Sequence, residues 1–283
     1  MPTGLEQGRE QVLANLTALP HHTSFAEHRR RMTSLVLDAA PSHAEPSLCV
    51  LGAGNCFDLD LESLARRFSA ISLVDLDASA LQRTFERQSE ATRARLQLHA
   101  PIDLSGFLDC IDRWAEFRLT PEELMTHPAQ TEQKIKRQLA KQFDVVLSSC
   151  ILSQMQLSLL NVLGERHRLL DALRLVLNLT HWRTLAGLTQ AGGCALFATD
   201  ASSSELYPLE QVEPGADCRE LLSELVRQRK VFAFAEPAQI ASQLSDEPHL
   251  RRAFAASQLR DAWIWSNGPD AKFLVYASAL PRV

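Results

Sequence analysis

Residues 48–61 read LCVLGAGNCFDLDL, and about twenty residues further on comes the run ISLVDLD at 71–77. A short apolar run that ends in glycines is a buried strand turning sharply into a helix. Gly52 and Gly54 allow that turn and a close backbone approach, because a Cβ at either position is expected to stand in a ligand's way. The helix is expected to begin near Asp58 and to aim its first amide groups at the same place. A second buried strand then ends on Asp75, where a carboxylate can accept hydrogen bonds from both hydroxyls of a ribose. Asp77 is expected to cap the helix ASALQRTFERQ.

The rest of the chain repeats this alternation. SFAEHRRRMTSLVLD (24–38) puts Phe25, His28, Arg29, Met32, Leu35 and Val36 on one helical face ahead of the first strand. LQLHA (96–100) and FDVVLSS (143–149) predict a third and a fourth strand, with a helical insertion at about 105–142 between them. Inside the insertion, Thr120, Pro121 and Glu123 form a capping box with a first-turn proline. A helical pattern runs from Leu152 to Gln190, split at Gly164 and closed by Gly192 and Gly193 before the strand CALFAT (194–199). Further helices are expected near 218–229 and 237–244. RDAWIWS and AKFLVYASA flank Asn267, Gly268, Pro269 and Asp270 as the arms of an antiparallel hairpin. The pattern predicts an α/β fold with a doubly wound, mostly parallel, seven-stranded sheet, a C-terminal antiparallel hairpin and helical additions. Residues 1–44 read as an N-terminal helical cap and 45–283 as the main domain.

With 283 residues and 46% hydrophobic content the chain can bury a large core. A net charge of −5 lacks the electrostatic footprint of a protein that grips a phosphate backbone, so nucleic acid is disfavoured as a partner. The six cysteines include no Cys-x-x-Cys pair, which suggests a reducing compartment. With no basic-then-apolar leader and no long apolar run, the expected location is cytoplasmic, without a membrane anchor. His167 and His181 lack acidic or histidine partners at ligand spacing, and no metal is expected. The oligomeric state is not legible.

A dinucleotide fingerprint would need a third small residue where the chain has Phe57, which argues against a pyrophosphate. The segment instead resembles the class I methyltransferases: a first strand followed by Gly-x-Gly-x, with an acid closing strand two. The resemblance extends over about residues 45–200 by order of motifs, and the terminal hairpin fits the same fold. It implies S-adenosylmethionine as cofactor and S-adenosylhomocysteine as product. Carried over, Gly52, Ala53, Gly54 and Asn55 would line the methionine part, and Asp75 with Leu76 would hold the ribose and flank the adenine. Asp103 and Leu104 would meet the adenine, with Asp103 as a helix cap the other reading. Ser149 and Cys150 fall on the fourth motif, where Cys150 reads as a wall residue rather than a nucleophile.

Two departures stand out. Many members carry an acid two residues before the first glycine, where this chain has Val50, and Asp58 could substitute through a water. SSCILSQM also lacks the Asn or Asp followed by Pro-Pro and an aromatic that marks methylation of base amino groups or glutamine. His22, Arg29 and Tyr207 are candidate acceptor contacts, weighed against plain surface and packing roles. The implied activity is methyl transfer to a small-molecule acceptor, with a protein side chain as a second acceptor class. The alternatives are a non-catalytic S-adenosylmethionine-binding protein and, further off, a nicotinamide-dependent oxidoreductase.

Overall fold

Seven buried or half-buried strands form one sheet in the computed structural model, which describes residues 4–267 and 271–283. They are β1 (Ser47–Leu51), β2 (Ala70–Val74), β3 (Leu96–His99), β4 (Phe143–Ser149), β5 (Thr189–Ser203), β6 (Gln258–Ser266) and β7 (Lys272–Pro281). Their order is β3-β2-β1-β4-β5-β7-β6. β1 to β5 pair in parallel, while β7 runs antiparallel to both β5 and β6. The winding reverses between β1 and β4, and in open α/β sheets ligands bind at that crevice, beyond the carboxyl ends of the strands. Every position of β4 is buried, as befits a central parallel strand covered on both faces. The hairpin turn expected at Gly268, Pro269 and Asp270 lies outside the described residues.

Helices α1 (Gly4–Thr17) and α2 (Ala26–Ala39) precede the sheet, and α3 (Leu61–Arg67), α4 (Ala78–Glu86) and α5 (Glu90–Arg93) join its first three strands. The insertion holds α6 (Ile111–Ala115) and α7 (Pro121–Leu139). α8 (Ile151–Leu163) and α9 (Leu170–Leu188) link β4 to β5, and α10 (Cys218–Arg227), α11 (Pro237–Asp246) and α12 (Pro248–Ala253) precede the hairpin. One face of the sheet buries Ile135 of α7, Trp182 and Leu185 of α9, Leu222 of α10 and Ile240 of α11. The other buries Met32 and Val36 of α2, Leu64 of α3, Leu81 of α4 and the hairpin residues Trp263 and Trp265.

Several local signals act as expected. Thr120 and Glu123 close the capping box of α7, and the Asp77 carboxylate accepts the N–H groups of Ser79 and Ala80 at the start of α4. Two expectations are corrected. The helix after β1 begins at Leu61 rather than near Asp58, because Asp60 accepts the Ser63 N–H at 3.1 Å and sets the cap there. The helix before β5 ends at Leu188, so Gly192 and Gly193 lie inside the strand instead of closing the helix. They absorb an irregularity in the pairing with β4: a Cβ on Gly193 would lie 2.6 Å from the Asp144 carbonyl, while Gly192 takes φ +78°. α1 falls within residues 1–44, read as a helical cap, but its own bounds are not legible, since it is held by amide side chains and lacks an apolar stripe that periodicity could reveal.

The α2–hairpin layer carries a testable charge. His28 is buried, accepts the Trp263 indole N–H through Nδ1 at 3.0 Å and stacks on Trp265 at 4.5 Å. Burial holds its pKa down at about 3, against 6.5 for an ordinary histidine. Below pH 6.5 the unfolded chain therefore binds a proton that the folded one refuses. The stability from a neutral His28 is complete above pH 6.5, falls as the pH drops below that value, and is gone once the pH passes the folded value. Compared with His28→Phe, which keeps a ring but cannot titrate, the wild type is expected to lose about 1.4 kcal/mol per pH unit between pH 6 and 4. Urea denaturation of both proteins across that range measures the difference, and parallel pH profiles would refute it.

Candidate functional site

The turn after β1 is fastened to the end of β2. The N–H groups of Gly52 and Ala53 both donate to the Val74 carbonyl, at 3.0 and 3.1 Å. The next N–H, of Gly54, donates to Asp75 Oδ2 at 2.8 Å, and the Asp77 N–H donates to Oδ1 at 2.8 Å. Burial pushes the Asp75 carboxyl above the usual range, opposed by these backbone donors. An ionised carboxylate has about four acceptor positions, so acceptor capacity is left for a ligand. Gly52 takes φ +73° and Gly54 φ +48°. The atoms that a Cβ would strike belong to the protein itself: Ile151 Cβ at 2.6 Å from Gly52 and Asn15 Oδ1 at 2.9 Å from Gly54.

An open cleft lies beyond the ends of β1 and β2. Gly52, Asp75, Leu76, Ile102, Asp103 and Leu104 line the end nearest the sheet. Ile111, Met155 and Leu159 of the insertion and α8 make an apolar wall, and Gln11 of α1 also lines the cleft. Of the residues expected at an adenosine, Asp75, Leu76, Asp103 and Leu104 are thus brought together. The Asp103 carboxylate also organises its own loop, taking the Ser105 N–H at 2.9 Å, the Ser105 hydroxyl at 2.6 Å and the Leu108 N–H at 3.0 Å.

Ala53, Gly54, Asn55, Asp58, Ser149 and Cys150 do not line this cavity. α1 lies across part of that group. The Asn15 side chain donates to Asp77 Oδ2 at 3.0 Å, Asn55 donates to the Asn15 carbonyl at 2.6 Å, and Gln11 donates to Gln154 at 3.1 Å. Asp58 accepts a hydrogen bond from the Ser149 hydroxyl, which ties the β1 turn to the tip of β4. Burial raises the Asp58 carboxyl, while the Ser149 hydrogen bond and Arg29 lower it. Cys150 adopts a left-handed conformation, and its thiol is pushed well above the ordinary value by burial and by Asp200 and Asp58. A thiol held that way has little thiolate, which suits a wall and not a nucleophile.

His22 and Arg29 border a different hollow, with Phe57 and Arg87. The Arg29 guanidinium is engaged by backbone carbonyls, Phe57 at 2.7 Å and His22 at 2.8 Å, and so holds the loop after β1 against the segment before α2. Tyr207 packs against the core on the α7–α9 side and lines neither hollow. Sequence reading passed over Asn15 and Gln11, and also Asp200, a buried acid near the end of β5 whose Oδ2 accepts the Ser153 hydroxyl at 2.7 Å. The polar residue closing the apolar run CALFAT was the available signal for Asp200. Among the described residues, no group of three or more histidine, cysteine, aspartate or glutamate side chains could hold a metal ion, and no helix is long and apolar enough to cross a membrane. All six cysteines are free.

No family model matches the sequence, and neither does any curated protein. Solved structures do match in shape. The methyltransferase domain of bacterial CtHen1 is 12% identical, with 89% of this chain and 98% of that one covered and a TM-score of 0.45. The YcgJ protein from Bacillus subtilis is 10% identical over 90% and 99%, with a TM-score of 0.47. A SAM-dependent methyltransferase from Methanosarcina mazei is 8% identical over 88% and 97%, also with a TM-score of 0.47. The strand order β3-β2-β1-β4-β5-β7-β6, with β7 alone reversed, decides the fold by itself. It is the class I methyltransferase fold. A shared fold of this kind hosts many chemistries, so what the chain does has to be argued from its site.

Proposed function

We propose that this chain is an S-adenosylmethionine-dependent methyltransferase whose acceptor is a small molecule. The observation that carries the reading is Asp75: a buried carboxylate held rigid by two backbone N–H groups, facing a cavity and keeping free acceptor positions. That is the arrangement a ribose diol requires. Leu76, Ile102 and Leu104 give the flat apolar surroundings suited to an adenine beside it. Asp58, tied to Ser149 at the tip of β4, is the acid available for the cofactor's ammonium in place of an acid at Val50. S-adenosylmethionine, when bound, supplies a methyl group already activated on a sulfonium sulfur. The protein's task is then to orient the acceptor and exclude water, so a signature base is not required. The net charge of −5 and the apolar wall favour a small acceptor over a nucleic acid.

Calorimetric titration with S-adenosylmethionine, S-adenosylhomocysteine and NAD tests the reading. Micromolar binding of the first two without the third is expected. Binding of NAD alone, or of none, would overturn it.

In this arrangement α1 covers the glycine turn through Asn15, and entry of the methionine part requires that contact to open. Asn15→Ala removes the hydrogen bond to Asp77, a net contribution of about 1 kcal/mol. The S-adenosylmethionine association rate, followed by stopped-flow fluorescence, is expected to rise by roughly fivefold. An unchanged rate would mean that α1 does not gate the cavity.

A further inference from the structure

β5 outruns its neighbour. Ser149, the last residue of β4, is in register with Ala198, so Asp200 stands two residues beyond the tip of β4. There it meets the first turn of α8 at Ser153. The pairing with β7 slips between Asp200 and Ser202, and such bulges commonly re-aim a side chain beside a functional site. Asp200 is only 8% exposed, and its Oδ1 has no hydrogen-bond partner. Its other neighbour is the Cys150 thiol, a weak donor to the carboxylate that also feels the charge of Asp58. Among the described residues no basic side chain pairs with Asp200.

Two carboxylates therefore act on Cys150, and they differ in their partners. Asp58 belongs to the β1 turn and has the Arg29 charge near it. Asp200 has neither a cation nor a full set of donors. A buried carboxylate left in this state is costly, and the cost is removed by a ligand that brings positive charge and N–H donors. An alcohol brings a single donor and no charge, whereas an ammonium brings charge and three donors.

We infer, building on the methyltransferase reading above, that Asp200 receives the amino group of the methyl acceptor, which makes the acceptor an amine methylated on nitrogen. The ammonium of the acceptor hands one proton to Asp200 Oδ1 and becomes a neutral amine. Its lone pair forms the new N–C bond to the methyl carbon as the C–S bond breaks. The electron pair of that bond stays on sulfur, giving S-adenosylhomocysteine and a methylated ammonium, and the proton on Asp200 passes to solvent when the product leaves. Burial raises the Asp200 pKa to about 6, high enough to accept a proton transiently and low enough to be ionised again near neutral pH.

The test is thermal denaturation of the full chain saturated with S-adenosylhomocysteine, with benzylamine, phenethylamine or benzyl alcohol added. The amines are expected to raise the melting temperature of the loaded protein and the alcohol to leave it unchanged. Asp200→Asn is expected to abolish the amine shift while keeping the shift due to S-adenosylhomocysteine. Equal shifts from amine and alcohol, no shift from either amine, or an amine shift that survives in Asp200→Asn would each overturn the assignment. The wild-type comparison of amine with alcohol needs no variant and decides the matter if Asp200→Asn does not fold. Failure of S-adenosylhomocysteine itself to shift the wild type is a separate result, and it would refute the methyltransferase reading instead.

Discussion

Asp75→Ala is expected to weaken S-adenosylmethionine binding by about a hundredfold and to lower folding stability in the same protein by about 3 kcal/mol. Two effects add. On the ligand side, a ribose diol loses an ionised acceptor, and hydrogen bonds to charged groups contribute roughly 1.5–3 kcal/mol each. On the protein side, the N–H groups of Gly54 and Asp77 lose their acceptor in a buried turn, and each orphaned donor costs about 1–3 kcal/mol. Asp75→Asn separates the two contributions. Its single carbonyl oxygen can serve one of the N–H groups, while the amide NH₂ confronts the other, so the turn is strained although the size is kept. Calorimetry for affinity and urea denaturation for stability, on both variants, check the expectation. An Asp75→Ala protein that binds the cofactor as the wild type does would remove Asp75 from the site and leave it a structural clasp.

The legible parts of the fold and the site share a cause. Buried parallel strands are rich in apolar residues and short strands stand out between helical patterns, so β1, β2, β3 and β4 could be read within a residue or so, and Asp75 and Asp77 with them. Helix caps are local chemistry, which is why Thr120 with Glu123 and Asp77 were readable. What escaped was set by partners distant in sequence. α1 owes its place to Asn15 and Gln11 meeting Asp77 and Gln154, more than sixty residues away, and no periodic pattern records that. Gly192 and Gly193 look like a helix end until the pairing of β5 with β4 and β7 shows them inside a strand. Arg29 lay on the expected helix, yet its guanidinium is committed to the carbonyls of Phe57 and His22, a fact that depends on how the loop after β1 folds back. Asp200 is the instructive omission. An acid that closes an apolar strand resembles an ordinary surface residue until burial and the lack of a partner for Oδ1 are known.

Gly52→Ala is the second large effect, and the identity of its neighbour allows the cause to be separated. At φ +73° a Cβ costs about 1–2 kcal/mol in backbone strain alone. Here it would also lie 2.6 Å from Ile151 Cβ, in the first residue of α8, and relieving such overpacking adds about 1–3 kcal/mol. A total loss of roughly 3 kcal/mol is therefore expected. Ile151→Ala cannot remove the clash with Ile151 Cβ, but it takes away the two side-chain atoms at 2.9 and 3.1 Å and leaves α8 room to shift. On its own it costs about 2–4 kcal/mol as a lost buried side chain. The double variant is expected to be more stable than the sum of the two losses implies, by about 1 kcal/mol, and urea denaturation of the four proteins measures that coupling. Strict additivity would mean that the cost at Gly52 comes from backbone strain and the Ile151 Cβ contact, with no part from the outer atoms of that side chain. A clear coupling would mean that this glycine is required because α8 starts against the β1 turn, in the packing that brings Ile151 and Met155 to the cavity wall beside Asp75.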